Sequence, residues 1–281
     1  MVREKNFLFV CGCPRSGTTV VTQLLNWHPR ISLGVERYGK LLYRNPKRYI
    51  PRIFGINRFF DIRQGDCFYD SFDYQAYSQP YCSEFSRQKY QQSSYVGDKN
   101  PKLYQNYAVV SDNFAETNFK IIFILRDIYS VAESYNLRAH NPDDKWKAEN
   151  DFKQAIVDWN ESICAVSQVL KQQHENLIMV NYDDFFSNYS FGKTKLPKLF
   201  DFLDLKVDSD VLHGYQLLEE NARKIAESKI RKQKRATKIL ERKRQRSPNN
   251  PELFNNYETD KEYIASKALL DKYELLKACC I

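Results

Sequence analysis

Asn6-Phe-Leu-Phe-Val-Cys-Gly12-Cys13-Pro14-Arg15-Ser16-Gly17-Thr18-Thr19-Val-Val-Thr-Gln-Leu-Leu25 is the stretch on which the fold turns. The apolar run Phe7 to Cys11 predicts a buried parallel strand. Gly12 to Gly17 predict a tight loop, and Val20, Val21, Leu24 and Leu25 fall on one side of the helix that follows. Strand, glycine-bounded loop and helix together build a phosphate cradle, because loop N–H groups and the positive end of the helix face an anion. Gly12 and Gly17 keep the spacing of a nucleoside-triphosphate loop. Thr18 and Thr19, however, stand where Lys and then Ser or Thr are required. The lysine that grips the β- and γ-phosphates is absent, and a cation stands inside the loop instead, at Arg15. The candidate anion-binding residues are Gly12, Cys13, Pro14, Arg15, Ser16, Gly17, Thr18 and Thr19. This arrangement counts against a P-loop kinase or NTPase, which is kept as an alternative, and favours a nucleotide whose reactive group lies against the loop.

Working outward, strand and helix patterns alternate. Arg30 to Gly34, Tyr95 to Asp98, Phe119 to Leu125 and Leu177 to Val180 read as further strands, each followed by a helical pattern. The fold class expected is α/β: a P-loop-type three-layer α/β/α architecture with a central parallel sheet. Residues 44–95 hold twelve aromatics from Phe54 to Tyr95 with poor periodicity and read as an aromatic-rich insertion, either a satellite core or an acceptor-pocket or lid region. Leu196 to Leu205, Val211 to Leu218 and a last helix from about Thr259 to Lys277 are expected to be helical. The whole chain, 1–281, reads as one domain with a helical C-terminal extension over 222–281.

Polar groups gather where these strands end, which is where open parallel sheets carry their function. They are the loop at 12–19, Glu36, Lys99, and Arg126 with Ser134 two helical turns on. Arg15 and Lys99 can reach an anion in the loop, while Arg126 and Ser134 supply a second, separate grip. A nucleotide with phosphates at both ends of its ribose satisfies both. Tyr182, at the last strand end, either packs against the base or simply packs. His28, followed by Pro29, reads as a structural cap.

The net charge of +8 is one segment and not a property of the fold. Residues 223–246 hold twelve Lys or Arg and two Glu, which leaves the remainder slightly acidic. Such a run binds polyanions in a salt-dependent way. It lacks the interleaved aromatics of a single-strand platform, so a nucleic-acid-binding protein is the other alternative and no nucleic-acid partner is expected. A third possibility is that the segment helps hold the nucleotide 3′-phosphate or an acidic acceptor. Seven scattered cysteines show neither zinc spacing nor a disulfide framework, and no metal is implied. No apolar run approaches a membrane span, and Met1 to Asn6 lead at once into the first strand without room for a signal peptide. The expected setting is cytoplasmic.

These residues resemble the sulfotransferases that use 3′-phosphoadenosine 5′-phosphosulfate (PAPS). Pro14-Arg-Ser-Gly-Thr-Thr19 is similar to that family's 5′-phosphosulfate loop, and Arg126-Asp-Ile-Tyr-Ser-Val-Ala-Glu-Ser134 to its 3′-phosphate motif. The wording of the loop and the following His28-Pro29 look most like the tyrosylprotein-sulfotransferase branch and its bacterial relatives. There a catalytic glutamate follows the loop arginine by 21 residues, a position held here by Glu36, and a lysine in Lys-Asp-Pro stabilises the transition state, matched here by Lys99-Asn100-Pro101. The resemblance implies transfer of the sulfuryl group of PAPS to a hydroxyl or amine, with Glu36 as base, Arg15 and Lys99 as charge stabilisers and adenosine 3′,5′-bisphosphate as product. The chain departs from that branch at Tyr38 and Leu42, where arginines hold an acidic peptide. The acceptor thus stays open among carbohydrate, lipid, small molecule and peptide.

Overall fold

A computed structural model describes residues 5–70, 87–172, 175–186, 189–246 and 256–281. Five parallel strands form one sheet: β1 Asn6–Gly12, β2 Ile31–Val35, β3 Tyr95–Lys99, β4 Phe119–Leu125 and β5 Leu177–Asn181. Their order is β2-β3-β1-β4-β5, so β1 lies between β3 and β4, and the chain switches direction across the sheet at its carboxyl end. β1 and β4 at the centre are near-continuous apolar runs because helices cover both faces, whereas β3 ends in the buried pair Asp98 and Lys99. On β1 the pleat divides the core. Leu8 and Val10 pack with Val21, Leu24, Leu25, Leu199 and Phe200, while Phe7, Phe9 and Cys11 pack with Tyr49, Phe54, Phe114 and Trp159.

The insertion is divided between core and cleft. Tyr49, Phe54, Phe59 and Tyr90 are fully buried and extend the sheet's own core; Phe54 stands 5.7 Å from Phe9, ring to ring. Phe68 and neighbouring Tyr43 are exposed instead, and together with Tyr69 they line the cleft described below. Much of the aromatic run, residues 71–86, lies outside the described residues.

Three helical expectations are revised. Val211 to Leu218 and the basic segment are parts of one continuous helix, Ser209–Arg246, which Asp208 starts by accepting the Val211 N–H at 2.9 Å. The stretch Ser247-Pro-Asn-Asn-Pro251, which in sequence predicts a break after the basic segment, falls outside the described residues. The helix expected at Leu196 to Leu205 is Tyr189–Asp201, with Asp204 beyond it at φ 52°. The last helix is two, Asn256–Lys267 and Leu270–Lys277. The cause is Asn160 of the helix Phe152–Lys171. Its amide donates to Lys267 O at 2.9 Å and its Oδ1 accepts the Leu269 N–H at 3.0 Å, so one side chain replaces the helical ladder at that joint. Among the described residues no helix is long and apolar enough to cross a membrane.

Candidate functional site

A cleft of about 1260 Å³ opens at the carboxyl end of the sheet. It brings together Pro14, Arg15, Gly17, Thr18 and Thr19 of the loop with Glu36, Lys99, Arg126, Ser134 and Tyr182. Gly12, Cys13 and Ser16 lie behind this surface. Cys13 is buried, and burial pushes its thiol pKa well up, so only its backbone is available to a ligand. Ser16 Oγ is buried without a hydrogen-bond partner.

The loop owes its shape to residues that tolerate a left-handed backbone. Gly12 has φ 148° and Gly17 φ 92°. A Cβ on Gly17 would stand 2.2 Å from the Tyr182 ring, which therefore lies directly against the loop. Arg15, without a glycine's freedom, adopts φ 69°, and Glu36 adopts φ 56°. Apart from Asp204, these are the non-glycine residues at positive φ among those described. Such strain costs of order 1–3 kcal/mol per residue and concentrates at functional sites.

Glu36 follows β2 directly. Its N–H donates to Lys99 O at 2.8 Å, which closes β2 onto β3. The next two side chains turn inward. Arg37 is buried and donates to Phe59 O and Asp66 Oδ2, while the Tyr38 hydroxyl donates to Ile53 O at 2.6 Å. The insertion is thereby pinned behind the turn, and Glu36 is left facing the cleft. Lys99 is only 1% exposed, and its Nζ donates to Glu36 Oε1 at 2.6 Å.

At the other end, Asp127 caps the helix Ile128–Ala139 by accepting the Tyr129 and Ser130 N–H groups, and this sets Ser134 two turns along. Ser134 Oγ accepts from Arg15 Nε at 3.0 Å, and Arg126 Nη1 donates to Arg15 O at 3.1 Å. The two grips read as separate in the sequence are thus joined through Arg15. Arg126 also lies over the Tyr182 ring, 4.3 Å from its centre. Its Nε is buried without a hydrogen-bond partner, 3.7 Å from Asp183 Oδ1. Burial raises the Asp183 carboxyl pKa, against the pull of Arg126.

Sequence reasoning missed several cleft residues. Asp158 accepts from Lys102 Nζ and from the Tyr135 hydroxyl, both at 2.8 Å, and from Gln154 at 3.0 Å. Trp146 and Lys145 form part of one wall, and Glu219, Ala222, Arg223 and Ile225 bring the front of the long basic helix to the rim. Only Arg223 carried a signal, as the first cation of the basic run. His28, by contrast, lies off the cleft. Its Nδ1 accepts the Arg30 N–H at 3.0 Å and its ring stacks on Phe200, the structural role expected of it.

The chain matches known proteins over the same elements. The family model described as Sulfotransferase family covers residues 8–209. Protein-tyrosine sulfotransferase A of Caenorhabditis elegans is 25% identical over 241 residues, which are 77% of this chain and 54% of that protein, so the chain spans about half the length of this curated relative. Among solved structures, the sulfotransferase domain from the curacin biosynthetic pathway superposes with a TM-score of 0.47 at 18% identity, over 76% of this chain and 78% of its own. Mouse sulfotransferase SULT7A1 complexed with PAP gives 0.43 at 15% identity, over 76% and 65%. The fold rests on the sheet itself; the family rests on the match that takes in the strand ends bearing Arg15, Glu36, Lys99 and Arg126, and by that match the chain belongs to the sulfotransferase family of enzymes.

Proposed function

We propose that the chain uses PAPS as its donor and transfers the sulfuryl group to a hydroxyl or amine, with Glu36 as general base. The observation that carries this reading is the Glu36–Lys99 pair, 2.6 Å apart and facing the cleft that the 12–17 loop also lines. The residues suit a nucleotide with anionic groups at both ends. The loop and the start of the helix Thr18–Trp27 offer N–H donors to a 5′-group. Arg126 Nε and Ser16 Oγ are buried donors with hydrogen-bonding capacity left over. Arg126 and Ser134 would hold a 3′-phosphate, with Tyr182 beside them.

When bound, PAPS supplies an activated sulfuryl group and leaves as adenosine 3′,5′-bisphosphate. Glu36 orients the acceptor hydroxyl or amine and takes its proton. Lys99 and the loop N–H groups stabilise the negative charge that grows at the reacting end, as fixed donors that need no reorganisation. Arg15 serves the same charge from the nucleotide side, where Ser134 holds its guanidinium. Tyr38 and Leu42 are buried and offer no cation to an acidic peptide, which leaves carbohydrate, lipid and small-molecule acceptors alongside peptides.

Titration calorimetry with adenosine 3′,5′-bisphosphate, 5′-AMP and ATP–Mg²⁺ tests the donor. The bisphosphate is expected to bind tighter than 5′-AMP by roughly 10- to 100-fold, the value of one charge-assisted phosphate contact. Equal affinity for the two, or preference for ATP–Mg²⁺, overturns the reading. An acceptor screen with labelled PAPS then names the substrate class.

A further inference from the structure

We propose that Asp98 is a positioning residue that holds the Glu36–Lys99 pair in its working arrangement. The inference rests on the reading of Glu36 as base and adds a residue that the motifs do not mark.

Asp98 sits on β3 immediately before Lys99 and is completely buried. Its carboxylate is spent on the turn after Glu36. Oδ1 accepts the Arg37 N–H at 3.0 Å, and Oδ2 accepts the Tyr38 N–H at 2.9 Å and the Asn100 side-chain amide at 2.8 Å. Glu36 itself donates its N–H to Lys99 O. The two strand ends are therefore stitched twice, once through backbone and once through Asp98, with Glu36 between the stitches. Both stitches hold Glu36 at φ 56°, a conformation that a free chain leaves readily.

The clamp needs an ionised carboxylate. Every group facing Asp98 in these hydrogen bonds is a donor, so a proton on Oδ2 would meet two N–H groups and break that side. Burial raises the Asp98 pKa to about 6, against the hydrogen bonds of Tyr38, Arg37 and Asn100 and the charge of Lys99. The Tyr38, Tyr49 and Tyr90 hydroxyls also feel its charge and stay neutral, since burial pushes their pKa values up. Stability and activity then respond to pH in opposite senses. The fold favours the protonated acid, so this group's contribution to stability falls as pH rises from the ordinary carboxylate range to about 6. Turnover should rise over the same interval.

The test uses the full chain with an acceptor identified by the PAPS screen, and three measurements. Asp98→Asn should lower kcat at least tenfold while the affinity for adenosine 3′,5′-bisphosphate stays unchanged. Amide hydrogen exchange at Arg37 and Tyr38 should accelerate in the same variant, a readout independent of any sulfotransferase activity. Asn100→Ala removes a hydrogen bond that lowers the Asp98 pKa, so it should move the acid limb of kcat to higher pH. That variant keeps the proposal testable where Asp98→Asn fails to fold. Wild-type kcat and wild-type exchange in Asp98→Asn, or an unmoved acid limb in Asn100→Ala, overturn the clamp. Loss of bisphosphate binding in the wild type would instead overturn the PAPS reading and leave the exchange result standing.

Discussion

At the Glu36 end of the cleft the cation and the carboxylate touch; at the Arg126 end they stand apart. Lys99 Nζ lies 2.6 Å from Glu36 Oε1 and is almost wholly buried. Arg126 Nε lies 3.7 Å from Asp183 Oδ1 and makes no hydrogen bond, although it too is buried. The first pair is closed and preorganised, the state expected of groups that meet charge as it forms. The second is an incomplete pair with a donor in reserve, the state expected of a group that receives an anion already formed. Tightness therefore separates the end proposed for chemistry from the end proposed for recognition.

Substitutions should widen or abolish that difference. The largest effect is expected from Glu36→Gln, which should lower kcat by roughly 10²- to 10⁴-fold, the usual worth of a positioned base, without weakening the bisphosphate. Lys99→Met should follow with a loss of roughly 10²- to 10³-fold in kcat, read in the same steady-state assay. If either variant mainly loses nucleotide affinity, the two ends have been assigned the wrong way round. Arg126→Ala should do the reverse. The Kd for adenosine 3′,5′-bisphosphate should rise roughly 10- to 100-fold and that for 5′-AMP scarcely at all, measured by calorimetry. An equal loss for both nucleotides would remove Arg126 from the 3′-phosphate. The smallest change belongs to Asp183→Asn. It withdraws a carboxylate that competes for Arg126 and should tighten the bisphosphate by about two- to fivefold; weaker binding would mean that Asp183 aims the guanidinium and does not compete for it.

The same contrast explains what the sequence disclosed. β1, β4 and β5 were legible as apolar runs and β2 and β3 as short β-rich stretches that stop at polar residues, and the strand ends gave Arg15, Glu36, Lys99 and Arg126 by position as well as by type. All four line one cleft. Contacts across long separations left no local mark. Arg15 and Ser134 are 119 residues apart, and the link that merges the two grips was invisible. Asp98 and Asp183 were hidden for a different reason. Each neighbours a residue already noticed, Lys99 or Tyr182, and a carboxylate's partners depend on which backbone N–H groups the fold brings to it. Arg37, next to Glu36, carried no signal of its role either, since an arginine in sequence looks exposed and this one is buried and spent on holding the insertion. The joint between the last two helices has neither proline nor glycine, because Asn160 of another helix makes it.

The contact between Gly17 and the Tyr182 ring has an evolutionary consequence. With 2.2 Å between the ring and the place where a methyl group would sit, Gly17 cannot drift while Tyr182 stays. A lineage that acquires alanine in the loop must first, or simultaneously, trade the tyrosine for something smaller, and must still carry the strain of a side chain at φ 92°. Position 17 should therefore stay glycine across descendants of this chain while position 182 is left room to shrink, and a library that randomises both should return glycine at 17 beside several residues at 182.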